Sequence, residues 1–125
     1  MILGTGIDII EVARIQNSME RFGDRFLQRI LRPDEIRYCF SCKFPAPHVA
    51  ARFAAKEAIS KAFGTGIGRQ LGWQDMEIRR EESGRPFVIL HGAGASLLSE
   101  RGGKAVHVSL SHTANYAAAI AVLEG

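Results

Sequence analysis

Residues 48 to 63, HVAARFAAKEAISKAF, constrain the fold most: an alanine-rich stretch of strong helix formers, closed by Gly64 in the position that ends helices. A helix of this length must bury one face, and the rest of the chain has to supply what it packs on. Before it, ILGTGIDII at 2–10 is an apolar segment with two glycines and one carboxylate, which predicts a buried strand ending near Asp8. Val12, Ile15, Met19, Phe22 and Phe26 then recur every three or four residues, predicting an amphipathic helix with Gly23-Asp24 as a possible break. Pro33-Asp34-Glu35 opens a further helix running to about Cys42, since proline in a first turn lacks only an already unpaired N–H and carboxylates suit the positive end of the dipole.

After Gly64 come the loop GTGIGRQLG, a strand alternating Met76 and Ile78 with charge, a Ser83-Gly84 turn, and a second strand over Phe87 to Leu90, which together predict a hairpin. A short helix over 93–101 ends at Gly102-Gly103; AVHVSLS then alternates apolar and polar residues, and YAAAIAVLE closes the chain as a buried strand. The order βαααββαββ, with late hairpins beside early helices, predicts an α+β layer fold with helices on a largely antiparallel sheet rather than a doubly wound parallel one. At 125 residues with 46% hydrophobic and 23% charged side chains, the chain reads as one globular domain spanning 1–125, without repeats or low-complexity segments. No apolar run reaches membrane-spanning length, no basic region precedes the N-terminal apolar stretch, and only two cysteines are present, so the expectation is a cytoplasmic protein without membrane contact. The net charge of +3 suggests anionic partners without choosing among nucleic acid, phosphorylated metabolites and acidic proteins.

Several charged residues are out of place. Glu57 and Lys61 stand four apart among alanines, with Arg52 before them; the ordinary explanation is a surface ion pair worth only ~0.2–0.5 kcal/mol. Asp8 has no such explanation, because an ionised carboxylate in an apolar run needs a cation or several hydrogen bonds. Two carboxylates converging from a strand and a helix, completed by waters and substrate phosphate, are what a magnesium site requires, and a nearby lysine could neutralise charge on a phosphoryl oxygen. Ser111-His112-Thr113 lies between two strands, where hydroxyl and imidazole groups could donate to a phosphate, or could be structural. Arg14, Arg21, Arg25 and Arg32, with Arg29 close by, form either a solvated face or a basic stripe flanked by Met19, Phe22 and Phe26 that could grip an acidic helix.

Other features carry less. Cys39-Phe40-Ser41-Cys42 lies in a predicted helix with no second CxxC, so neither a redox pair nor zinc is indicated. Gly92-Ala93-Gly94 lacks the third glycine of a dinucleotide fingerprint, and the loop after Gly64 follows a helix, whose dipole there repels anions. His107 reads as a sheet residue, while His48 and His91 belong to no evident constellation. Nucleic acid is disfavoured, because aromatics make up only 8% of the chain and no stacking motif is visible.

Taken together, GTGIDIIEVARI at 4–15, RFAAKEAISKAFGTGIG at 52–68, WQDMEI at 73–78, GRP at 84–86 and VHVSLSHT at 106–113 followed by YAAA closely resemble the holo-acyl-carrier-protein synthase family, the short phosphopantetheinyl transferases. The resemblance implies transfer of 4'-phosphopantetheine from coenzyme A to a serine of apo-acyl carrier protein, releasing adenosine 3',5'-bisphosphate, in support of fatty acid biosynthesis. It implies Asp8 and Glu57 as magnesium ligands, Lys61 beside the departing nucleotide, and Arg52, His112 and Thr113 near its 3'-phosphate. Gly64 and Pro86 would shape the remaining coenzyme A pocket, and Glu57, directly or through a water, would take the serine proton. Arg14, Arg21, Arg25 and Phe26 would dock the carrier protein, and the family's homotrimers carry active sites between subunits. A module that only binds coenzyme A or an acidic helix is the competing reading, which would leave Lys61 beside two carboxylates without a purpose.

Overall fold

Small side chains let the long helix lie directly on the sheet. In the computed structural model, which describes residues 1–125, the chain starts with strand β1 (Ile2–Glu11) and the long helix is α4 (Pro45–Phe63). A Cβ on Gly4 would run into the Ala62 carbonyl, and one on Gly6 into the Ala58 carbonyl, so only glycine permits this approach. Ala51, Ala54, Ala55 and Ala58 of the helix are buried together with Ala117, Ala119 and Ala121 of the last strand.

Between β1 and α4 lie α1 (Val12–Phe22), α2 (Asp24–Ile30) and α3 (Pro33–Ser41). The first helical stretch is thus cut in two at Gly23, the break its glycine suggested, where φ is +55°. The long helix begins three residues before His48, because Pro45 occupies its first turn, where an absent N–H costs nothing. The predicted hairpin forms as β2 (Met76–Arg80) and β3 (Pro86–Leu90), a separate two-stranded sheet. Helix α5 (Gly92–Glu100) leads into β4 (Ala105–His112) and β5 (Tyr116–Glu124), and β1, β5 and β4 form an antiparallel sheet in that order. The architecture is α+β, as expected. Two strand boundaries differ as well: β1 does not end near Asp8 but continues to Glu11, because β5 pairs with it as far as Tyr116, and β4 runs through Ser111 and His112, so only Thr113 of that trio lies between strands.

A buried ion pair ties the helical layer to the hairpin. Lys56 Nζ donates to Glu35 Oε1 at 2.8 Å, to the Ile30 carbonyl at 2.7 Å and to the Trp73 carbonyl at 3.1 Å. Glu35 accepts in addition from the Arg32 N–H at 2.8 Å and, through its other oxygen, from the Ile78 N–H at 3.0 Å. Such complete satisfaction is what allows two charges to sit out of water.

Candidate active site

Asp8, on the edge strand β1, pairs with Ala119 of the central strand β5 and lies on the face that α4 covers, while Lys61 and Glu57 project from adjacent turns of that helix. Lys61 Nζ lies 3.1 Å from Asp8 Oδ1 and 2.9 Å from the Ile7 carbonyl. The ion pair suggested by the i, i+4 spacing is therefore not made with Glu57; the lysine reaches across to the strand instead. Partial burial, followed by the Asp8 charge, pushes the Glu57 carboxyl above its ordinary range, against the opposing pull of Lys61. Two carboxylates close enough for the charge of one to oppose ionisation of the other form a site whose electrostatics improve when a cation enters.

The donor set fits a hard divalent cation. No three His, Cys, Asp or Glu residues cluster in a way that could hold a metal, so a closed, thiolate- or imidazole-rich zinc site is not formed. Two carboxylates are the kind of oxygen donors with which a protein holds magnesium, waters and substrate oxygens completing the shell.

A second charged group occupies another face of α4. Arg52 is 2% exposed, its Nε has no hydrogen-bond partner, and its guanidinium lies over the Tyr38 ring at 4.4 Å. Arg80 approaches the same ring at 5.5 Å. The His48 and His112 rings meet edge-on at 4.8 Å. Basic groups gathered without a paired carboxylate suit an anionic ligand. His48, Tyr38 and Arg80 were missed in the sequence; the one available signal was that His48 and Arg52 share a helix face at i, i+4.

Thr113 shapes the turn after His112, its hydroxyl accepting from the N–H groups of Asn115 at 3.2 Å and Tyr116 at 3.1 Å. Gly64 ends α4 at φ +77°, a turn beyond Lys61. Pro86 is not brought to these residues within one chain: it flanks Val106 to Val108, toward the other end of β4 from His112. An open cleft of about 750 Å³, also unforeseen, lies between the starts of α1 and α4 and the β4–β5 turn, lined by Val12, Gln16, Phe44, Pro47 and Tyr116.

The arginine stripe survives in part. Arg14, Arg21, Arg25 and Arg29 are exposed on α1 and α2. Arg32 is held by the Gln74 carbonyl at 2.7 Å and lies 3.6 Å from Glu77, so it serves the fold. Phe26 packs partly against the core, and the more exposed aromatic is Phe22, with the Arg21 guanidinium 5.3 Å above its ring. Cys39 and Cys42 are unpaired; burial pushes the Cys39 thiol up to about 11, which leaves it unreactive.

The sequence profile of the 4'-phosphopantetheinyl transferase superfamily matches residues 4–121. The chain belongs to this family. It is 54% identical over 124 residues to a holo-[acyl-carrier-protein] synthase of Koribacter versatilis (strain Ellin345), covering 99% of both chains. The crystal structure of the holo-[acyl-carrier-protein] synthase from Neisseria meningitidis superposes with a TM-score of 0.93 at 35% identity over 100% of both chains. That of the Helicobacter pylori synthase, solved in complex with coenzyme A, superposes with a TM-score of 0.86 at 35% identity over 96% of this chain and 99% of that one. No helix of this phosphopantetheinyl transferase family member is long and apolar enough to cross a membrane.

Proposed function

We propose that this chain transfers the 4'-phosphopantetheine group of coenzyme A to a serine hydroxyl of apo-acyl carrier protein, acting in the cytoplasm in support of fatty acid biosynthesis. The observation that carries the reading is the meeting of Asp8, Glu57 and Lys61 where β1 passes under α4. The serine oxygen attacks the phosphorus bearing the pantetheine arm, a new P–O bond forms, and the bond to the bridging diphosphate oxygen breaks. Adenosine 3',5'-bisphosphate leaves with that bonding pair. Such transfer needs charge neutralisation and in-line placement more than covalent help from the protein.

Glu57, directly or through a water, accepts the serine proton. Lys61, held by Asp8 and the Ile7 carbonyl, faces the oxygen on which the leaving charge collects. Asp8 and Glu57 would hold magnesium, which when bound offsets the diphosphate charge. Arg52, His112 and Thr113 receive the 3'-phosphate, while Gly64 and Pro86 shape the rest of the coenzyme A pocket. Arg14, Arg21 and Arg25, with Phe26 and the more exposed Phe22, meet the acidic carrier.

A homotrimer with shared sites accounts for two further features. Arg52 and Glu57 lie about 140° apart around α4, which favours their serving ligands in different clefts. Ile7, Ile9 and Ile120 present an apolar patch on the open face of the sheet, 68%, 67% and 43% exposed, which another copy could cover. Sedimentation of active protein should give the mass of a trimer; an active monomer overturns this part.

The deciding experiment is intact-mass analysis of apo-acyl carrier protein incubated with this chain, coenzyme A and magnesium, beside a control with EDTA. The expected result is a gain of one phosphopantetheine unit, absent with EDTA. Binding of coenzyme A without any gain on several carriers would instead establish a binding module.

A further inference from the structure

His112 is exposed and its imidazole makes no hydrogen bond to the protein, so nothing polar fixes the angle of its ring. What touches it is His48, one helix turn before Arg52. The His48 ring stands edge-on to His112, 4.8 Å between centroids at 67°, and also meets Tyr38 at 5.9 Å and 79°. We propose that His48 is a positioning residue: in contact with both Tyr38 and His112, it turns the His112 imidazole toward the side of α4 that carries Arg52, so that the two can meet one phosphate monoester. This rests on the reading that His112 receives the 3'-phosphate of coenzyme A.

The alternative, that His48 binds the anion as a cation, is poorly served by its surroundings. Its Nδ1 is buried without a partner, so a proton there would be an unpaired buried donor. The groups facing it are His112 from β4, Arg52 from its own helix, Arg80 from β2 and Tyr38 from α3, with no carboxylate among them. Burial, then these positive neighbours, lowers its pKa below the ordinary histidine value. A neutral ring can still pack edge to face, and a phenyl ring could do the same.

The test compares coenzyme A with dephospho-coenzyme A, which lacks the 3'-phosphate, by calorimetry on wild type, His48→Ala and His48→Phe. His48→Ala should weaken coenzyme A by roughly tenfold and leave dephospho-coenzyme A within about twofold, while His48→Phe should recover most of the loss. The pH dependence of coenzyme A binding should be the same in His48→Phe as in wild type. Unchanged coenzyme A affinity in His48→Ala, equal weakening of both ligands, or failure of phenylalanine to rescue would each overturn the assignment. His112→Ala separates the two levels: if it leaves the preference for coenzyme A over dephospho-coenzyme A intact, the phosphate is not received at His112, and both readings fall.

Discussion

Lys56 and Glu57 are neighbours on α4, yet their settings are opposite. The Lys56 ammonium is fully buried with three oxygen acceptors, and its partner Glu35 is satisfied at both oxygens. Glu57, on a different side of the same helix, gains no ion pair from Lys61 and is held back from ionising by burial and by Asp8. Arg52, one turn before Lys56, is as buried as a core residue and keeps an unpaired Nε. Depth of burial therefore does not separate the charges that hold the fold together from those proposed for the site. Completeness of the partner set does, because a charge left wanting inside the protein is a standing cost that a ligand can remove.

The sharpest way to break this contrast is Lys56→Met, which leaves Glu35 buried and unpaired. A loss of about 3–5 kcal/mol in denaturant unfolding is expected, and a small loss would mean that the pair is not the staple it resembles. Asp8→Ala should do the reverse, lowering transfer by about 10²–10³-fold while the fold is retained, as read by intact mass and by circular dichroism. Retention of most activity would remove Asp8 from the site. Exchanging Arg21 and Arg25 for glutamate should raise the apparent KM for the acidic carrier by roughly tenfold at low salt, and less at high salt, with coenzyme A kinetics unmoved.

The smallest effect is the most diagnostic. Because the native Glu57 pKa is raised, the folded state keeps its proton to a higher pH than the unfolded chain, so stability falls as pH rises from the ordinary carboxylate value through the native one. Glu57→Gln should therefore raise Tm slightly at neutral pH, not below the ordinary carboxylate range, and should lose activity. Magnesium should raise the Tm of wild type in a concentration-dependent way and that of Glu57→Gln much less. A variant less stable than wild type at neutral pH would show that Glu57 supports the fold.

The helices, the two hairpins and the strand at the start were legible because each is written in local periodicity, prolines and glycines. Asp8 was legible as well, since a carboxylate among isoleucines is anomalous in any fold. Three things were not. The spacing of Glu57 and Lys61 pointed to each other, while the sheet brought Asp8 closer. Arg32 looked like one of a row of arginines, but it lies beyond the end of α2 at Ile30, where Gln74 and Glu77 approach it. His48 carried no sign of a neighbour sixty-four residues away in sequence.

What the sequence determined by itself is the set of elements and the anomalous side chains, because backbone propensity and apolar period act over a few residues. What only the tertiary structure decided is which of those side chains meet. Two glycines let β1 lie against α4, and β5 sits between β1 and β4, so that Asp8 and His112 reach the same helix on different faces. Such meetings depend on distances of a few ångströms between segments far apart in the chain, which no local pattern encodes.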